Sequence, residues 1–305
     1  MIKKIFILGS SGFVGSNFLN DPRVDNYMIL CPKRKELDLT KQRDLYDYLN
    51  YTKPDLIINA AGKVGGILIN SKNNFDFLNQ NLIINYNIIN ASKESNVNNL
   101  INLSSSCIYP INFNKPLSEN DLMSGKLEPT NEGYALSKIY ALKSCQYLSK
   151  QFKYKTIIPC NLYGPYDDFD EKTSHMIPGL ISRTHQAINN NKKKIKIWGN
   201  GKVRREFMFI TDFIDFLFFS IENFNSLPDV INVGLGYDLS IKDYYEEIFS
   251  VLNYKGELIY DNTKPSGIKR KLMDISRLKK IGWKPKTSLS KGIELTYKYY
   301  KSKYE

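Results

Sequence analysis

The 305-residue chain reads as an α/β protein, a doubly wound parallel sheet followed by a smaller mixed α/β C-terminal lobe. Three observations predict this. Strand-like apolar runs alternate with helical stretches through the first half. The runs are continuous rather than alternating, as strands covered on both faces require. A turn with glycines at 9, 12 and 15 follows the first run directly and opens a helix.

Taken in order, Lys4–Leu8 is the first strand and a short helix follows to about Asn20. Tyr27–Leu30 is the second strand, and Leu45–Leu49 lies in a helix. Pro54-Asp55 opens a third strand, Leu56–Asn59, which is followed by a long helix over Asn73–Ser95. Leu100–Leu103, a helix from Tyr134 to Gln151, and Lys155–Pro159 complete the alternation. Beyond Cys160 the pattern becomes irregular, punctuated by Pro165, Pro178, Gly179, Gly199 and Gly201. Helical patterns return at Thr211–Glu222, at Asp243–Leu252 and from Ser290. The division expected is a dinucleotide-binding domain over 1–164, with segments around 207–235 returning to it, and a lobe over 165–305. Both long helices carry apolar residues on more than one side, which suits burial on two faces.

Gly9-Ser10-Ser11-Gly12-Phe13-Val14-Gly15 has the roles of a phosphate cradle. The first glycine allows the tight turn, the second a close approach to a pyrophosphate, and the third helix–strand packing. Helix N-terminal amides then face the phosphates. After the second strand come Lys33 and Arg34, with no carboxylate before Glu36. Basic residues there suit a 2′-phosphate, so NADPH is the expected cofactor; a solvated basic loop is the alternative. Tyr134 and Lys138 stand four apart on one helix face. An ammonium near the phenol is expected to lower its pKa and make Tyr134 a general acid or base. Ser104-Ser105-Ser106-Cys107 follows the fourth strand, where side chains point into the ligand crevice.

Forty-three Lys+Arg against 31 Asp+Glu give a net charge of +12, which points to an anionic partner. Scattered Cys31, Cys107, Cys145 and Cys160 with only His175 and His185 make no zinc pattern, so no metal is expected, and they fit a reducing cytoplasm. The apolar run after Met1-Ile2-Lys3-Lys4 is short and ends in the cradle glycines, so it reads as a buried strand and not as a leader. No apolar stretch approaches the ~20 residues that span a bilayer. No nucleic-acid-binding motif accompanies the charge. Neither membrane nor nucleic acid is therefore an expected partner.

These motifs resemble the extended short-chain dehydrogenase/reductase superfamily, the Rossmann-fold enzymes of its nucleotide-sugar branch. Longer strings narrow the resemblance to the GDP-L-fucose synthases: Ala61-Gly-Lys63-Val-Gly-Gly66, Ser105-Ser-Cys107-Ile-Tyr-Pro110, Leu127-Glu-Pro-Thr-Asn131, Asn161-Leu-Tyr-Gly-Pro165, Ser174-His175-Met-Ile-Pro178, Arg205-Glu-Phe207 and Arg270-Lys-Leu-Met-Asp274. The resemblance covers essentially the whole chain. It implies an NADPH-dependent reduction at C4 of a GDP-4-keto-6-deoxy-hexose, preceded by epimerisation at C3 and C5. It makes Cys107 the base, His175 the acid, Tyr134 and Ser105 the partners of the C4 oxygen, and Lys138 the holder of the nicotinamide ribose. It extends the cofactor set to Ala60, Ala61, Leu103, Ser104, Pro159, Asn161, Leu162 and His175. It gives Lys63, Ser106, Cys107, Asn161, Arg183, Trp198, Arg205 and Arg270 to the GDP-sugar. Two arginines suit a diphosphate. Trp198 offers a face to guanine or sugar, or else belongs to the lobe core. The resemblance also implies a homodimer built on the two long helices.

Two departures bear on specificity. Ser11 stands where these enzymes commonly have an arginine for the 2′-phosphate, which throws weight on Lys33 and Arg34. Ser266 stands where they commonly carry a substrate-binding aspartate. That leaves open a C4 reductase acting on a GDP-4-keto-6-deoxy-heptose of a bacterial capsule. A non-catalytic NADP sensor is a further alternative, opposed by the intact Ser105, Tyr134 and Lys138.

Overall fold

The computed structural model describes residues 2–111, 113, 115–263 and 268–305. The sheet is built from β1 (Lys4–Leu8), β2 (Met28–Leu30), β3 (Leu56–Asn59), β4 (Asn99–Leu103), β5 (Lys153–Pro159) and β10 (Val230–Val233). Its order is β10-β5-β4-β3-β1-β2, and every pairing is parallel. Alternate residues of β1 explain the continuous run. Ile5 and Ile7 enter one core with Phe18 and Phe213, while Phe6 and Leu8 enter a second with Leu45, Ile88 and Ala141. The first core lies under α1 (Phe13–Leu19) and α7 (Ile210–Glu222), the second under α2 (Gln42–Thr52), α4 (Asn74–Glu94) and α5 (Glu132–Leu148). A sheet covered on both faces has no face left for polar alternation.

The expected strands are all present, with ends moved by a residue or two. Three departures matter. A short helix, α3 (Ile67–Lys72), precedes α4, and Asn73 ends one and starts the other. The helix carrying Tyr134 begins two residues earlier, at Glu132. The irregular second half contains three two-stranded pairs not assigned from sequence. These are β6 (Asn161–Tyr163) with β9 (Phe207–Phe209), β7 (Lys194–Trp198) with β12 (Glu257–Asp261), and β8 (Arg204–Arg205) with β11 (Leu239–Ser240). The remaining helices are α6 (Met176–Asn189), α8 (Ile241–Val251), α9 (Ser276–Lys280) and α10 (Leu289–Tyr304). Short strands of two to five residues between prolines and glycines carry too little periodicity to be legible.

A buried polar row crosses the sheet near its C-terminal edge. Asn59 Nδ2 donates to Asn102 Oδ1 (3.1 Å) and to Asn85 Oδ1 (3.0 Å), and Asn85 Nδ2 reaches the Ser137 carbonyl (3.5 Å). Buried amides persist only when paired. These bonds therefore lock α4 and α5 to β3 and β4 beside the strand ends that carry the site.

Candidate active site

The glycine turn is shaped by backbone alone. Gly9 takes φ +78°, and a Cβ there would lie 2.6 Å from the Ala60 carbonyl oxygen. A Cβ on Gly15 would lie 2.2 Å from the Gly9 oxygen. Gly12 N–H donates to that same oxygen at 3.0 Å, closing the turn around Ser10 and the exposed Ser11. Phe13 and Val14 open α1. Ala60 N–H bonds the Leu8 carbonyl (3.0 Å) and Ala61 N–H the Asn59 side chain (3.2 Å), which sets the neighbouring wall. Such a cradle, closed to any side chain, fits the pyrophosphate of a dinucleotide. Lys33 and Arg34 are exposed just past β2. The Glu36 carboxylate between them and α2 is turned back onto the Lys33 N–H (2.8 Å). The carboxylate is thus engaged by backbone, and the exposed Lys33 and Arg34 remain the groups suited to a 2′-phosphate. The residues fit NADPH.

At the end of β4, Leu103 is buried, and its carbonyl accepts from Lys138 Nζ at 2.9 Å. Ser104 is buried, with its Oγ unpaired among the described residues. Ser105 caps a 3-10 turn over Ser106–Ile108 by accepting the Cys107 N–H (3.4 Å), which tucks Ser106 and Cys107 inward. Tyr134 and Lys138 share one face of α5, with Nζ 5.8 Å from the ring centre. Cys107 acts electrostatically on both Tyr134 and Lys138, so the turn after β4 and the helix α5 face one another.

One sequence expectation is corrected here. Lys138 does not lower the Tyr134 phenol; burial raises it, and Cys107 adds to the effect. Burial also lowers Lys138 to about 8. In a dry pocket desolvation of the phenolate outweighs an ammonium directed at the Leu103 carbonyl. Tyr134 is accordingly a protonated phenol, the form an acid needs. The Cys107 thiol is likewise raised by burial, against the pull of Lys271, Ser105 and Lys138.

His175 caps α6, its side chain about half exposed, with Nδ1 3.7 Å from Asp167 Oδ1. Asp167 holds the imidazole pKa above its ordinary value. Pro159 ends β5, and Asn161 and Leu162 lie in β6, where Asn161 Nδ2 donates to the Glu206 carbonyl (2.8 Å). Lys63 is exposed on the loop after β3. Its backbone is clamped at both ends by Asn81, at 2.7 Å and 3.0 Å.

Farther out, Arg183 on α6 donates to the Tyr245 hydroxyl (2.9 Å) and the Lys196 carbonyl (3.3 Å), beside β7. Trp198 at the end of β7 is 44% exposed, whereas Trp283 is the tryptophan of the core. Trp198 therefore offers an open aromatic face. Arg205 is half-buried and donates to the carbonyls of Arg204 (2.8 Å) and Ile268 (2.7 Å). Arg270 is not brought to the site as a free cation: with Arg204 it is held by Asp238, at 2.5 Å and 2.8 Å. Ser266 lies outside the described residues.

Sequence reasoning missed Lys271, Asp167 and Asn81. Lys271 lies inside a quoted string, Asp167 two residues past another, and Asn81 is a polar residue on an apolar helix face. Their partners lie eight or more positions away along the chain. Among the described residues no helix is long and apolar enough to cross a membrane.

The model of the NAD dependent epimerase/dehydratase family matches residues 5–234. A GDP-L-colitose synthase of Yersinia pseudotuberculosis is 46% identical over 97% of this chain and 97% of its own. A GDP-L-fucose synthase of Azorhizobium caulinodans is 42% identical over 98% and 96%. A GDP-D-glycero-L-gluco-heptose synthase from Campylobacter jejuni, solved in the presence of NADPH, superposes with TM-score 0.90 at 29% identity, covering 98% of both chains.

Proposed function

Because this chain belongs to the NAD dependent epimerase/dehydratase family, alongside GDP-L-fucose and GDP-L-colitose synthases, we propose that it is an NADPH-dependent 4-keto reductase with 3,5-epimerase activity on a GDP-4-keto-6-deoxy-sugar. One observation carries the reading. A buried thiol, a partly buried phenol and a buried ammonium come together at the end of β4. A reductase needs the phenol and the ammonium; only epimerisation uses the thiol.

A C4 ketone acidifies the C3 and C5 protons. Cys107, as thiolate, removes one, and His175 returns a proton on the opposite face of the ring. Lys138 and Lys271 favour the thiolate against the cost of burial. Ser105 and the Tyr134 hydroxyl bond the enolate oxygen and stabilise its developing charge. When bound, NADPH supplies the hydride to C4. Tyr134 donates its proton to the C4 oxygen, and Lys138, fixed on the Leu103 carbonyl, holds the ribose. Lys63, Arg183 and Arg205 bind the diphosphate, and Trp198 packs on the guanine or sugar.

The test is incubation with GDP-4-keto-6-deoxy-mannose in deuterated water without NADPH. Deuterium is expected at C3 and C5, and its absence removes the epimerase half. A second reading, a C4 reductase on a GDP-4-keto-6-deoxy-heptose for capsule synthesis, is favoured by Ser266 and the heptose synthase likeness. Turnover on hexose and heptose ketones compared side by side decides it; preference for the hexose rejects the heptose.

The reading includes a cytoplasmic homodimer. Phe75, Leu82 and Tyr86 on α4, with Leu136 and Tyr147 on α5, are exposed apolar residues on neighbouring helices. A second copy covering them accounts for helices apolar on two sides. Light scattering on Leu136→Asp is expected to show monomer where the parent shows dimer.

A further inference from the structure

Resting on the reading of His175 as the acid, we propose that Asp167 is its positioning carboxylate: it accepts the Nδ1 proton of the imidazole and leaves Nε2 turned to the sugar. Asp167 is nearly inaccessible, its side chain 4% exposed. Its Oδ1 takes the Asp168 N–H at 2.8 Å, but Oδ2 is buried without a hydrogen-bond partner among the described residues. A buried carboxylate oxygen left unpaired is costly. The imidazole is the side-chain donor that faces this carboxylate, its Nδ1 3.7 Å from Oδ1, the oxygen that also takes the Asp168 N–H. That is about 1 Å beyond a charge-assisted hydrogen bond of ~2.8 Å, a gap that a modest turn of a half-exposed ring closes.

The neighbouring carboxylate cannot take this role, because it is already engaged. Asp168 Oδ1 accepts the Asp170 N–H (2.9 Å) and Oδ2 accepts the Thr173 hydroxyl. The loop is built to hold Asp167 in place. Tyr166 adopts φ +65°, unusual for a bulky side chain, and is pinned by its ring contact with Tyr299 at 4.9 Å. Asn17 Nδ2 on α1 donates to the Pro165 carbonyl (2.7 Å), tying the loop to the first helix of the cradle. Asp167 and Asp168 are the titratable groups that act on His175, and both raise its pKa. A carboxylate behind a histidine fixes its tautomer and favours its charged form, the form that donates a proton.

Asp167→Asn is nearly isosteric and still accepts the Asp168 N–H. The titration of His175 is followed by NMR in the full-length protein, with His175→Gln used to assign its signal apart from His185. The midpoint is expected to fall in Asp167→Asn, and the alkaline limb of deuterium exchange into GDP-4-keto-6-deoxy-mannose to move to lower pH. The exchange rate at neutral pH is expected to drop at least ~10-fold, a part of the ~100- to 10,000-fold that a positioned proton donor contributes. An unmoved His175 midpoint in a variant that still binds NADPH overturns the proposal. If Asp167→Asn does not fold, the nitrogen-15 shifts of His175 in the parent decide. A neutral ring protonated at Nδ1 supports the assignment, and one protonated at Nε2 overturns it. A lowered midpoint with no exchange in either protein upholds the Asp167–His175 pairing and refutes the epimerase reading.

Discussion

Lys138→Met separates what the site costs the fold from what it gives to chemistry. Lys138 is 4% exposed, and burial takes its pKa from an ordinary 10.5 to about 8. At roughly 1.4 kcal/mol per tenfold change in proton affinity, that difference weakens the folded state by about 3 kcal/mol whenever the lysine is charged. The sign follows from proton counting. Between the two pKa values the unfolded chain binds more protons, so stability rises with pH there. Methionine removes the penalty but leaves the Leu103 carbonyl without its donor, which costs about 1–3 kcal/mol. The two effects nearly cancel at neutral pH, and Lys138→Met is expected to be as stable as the parent or slightly more so. The pH dependence is the sharper signature. From about pH 7 to pH 9.5 the parent should gain about 2 kcal/mol relative to the variant. Urea denaturation followed by tryptophan fluorescence, at fixed protein concentration and without NADPH, measures it. Groups that do not interact with Lys138 are common to both proteins and drop out of the difference, and making both measurements in a Cys107→Ser background removes the thiol that Lys138 perturbs. A stability gap that stays constant over that range refutes the burial argument. The variant should have lost its reductase activity, a trade of stability against function.

Three further outcomes are expected. Gly15→Ala puts a Cβ 2.2 Å from the Gly9 oxygen, so NADPH affinity should fall steeply and the midpoint of thermal unfolding should drop by the cost of overpacking, ~1–3 kcal/mol; isothermal titration and a melting curve check both. Tyr134→Phe should lower kcat for C4 reduction by ~100- to 10,000-fold while NADPH binding, read by fluorescence, changes little. Arg34→Glu should reverse the preference for NADPH over NADH, measured as the ratio of kcat/KM values, if the exposed cations after β2 hold the 2′-phosphate.

The parts of this molecule legible in its sequence are those set by neighbours along the chain. The Lys4–Leu8 run, the glycines at 9, 12 and 15, and the four-residue step from Tyr134 to Lys138 each carry their geometry within a few residues. What was illegible depends on burial or on a remote partner. The raised Tyr134 phenol is one case: spacing predicts the nearby ammonium, but only the fold shows how dry the pocket is. Whether Trp198 belongs to the lobe core or offers an open face is another, because β7 and β12 leave no periodic pattern long enough to assign a face. Asp167 carries no sequence signal, because the residue it serves lies eight positions away across a non-repeating loop.

The exchange of roles between Arg270 and Lys271 has the same origin and follows from strand geometry. Residues 268–274 run as a strap along two other segments. Arg204 N–H bonds the Lys269 carbonyl (2.9 Å) and Lys271 N–H the Arg204 carbonyl (3.4 Å). Leu117 N–H bonds the Leu272 carbonyl (2.8 Å) and Asp274 N–H the Leu117 carbonyl (2.8 Å). On an extended strap successive side chains point to opposite sides. Arg270 turns to Asp238, where it joins Arg204 in a clasp around one carboxylate. Lys271 must then turn the other way, toward Cys107, and its pKa is lowered by burial while the thiolate partly restores it. Glu206 reinforces the register by accepting the Met273 N–H (3.1 Å) from the strap and the Gly236 N–H (2.8 Å) from the loop after β10. One arginine thus holds the strap so that the lysine beside it meets the thiol. The basic residues of the Arg270-Lys-Leu-Met-Asp274 string act as a pair, one bound to Asp238 and one acting on the Cys107 thiol.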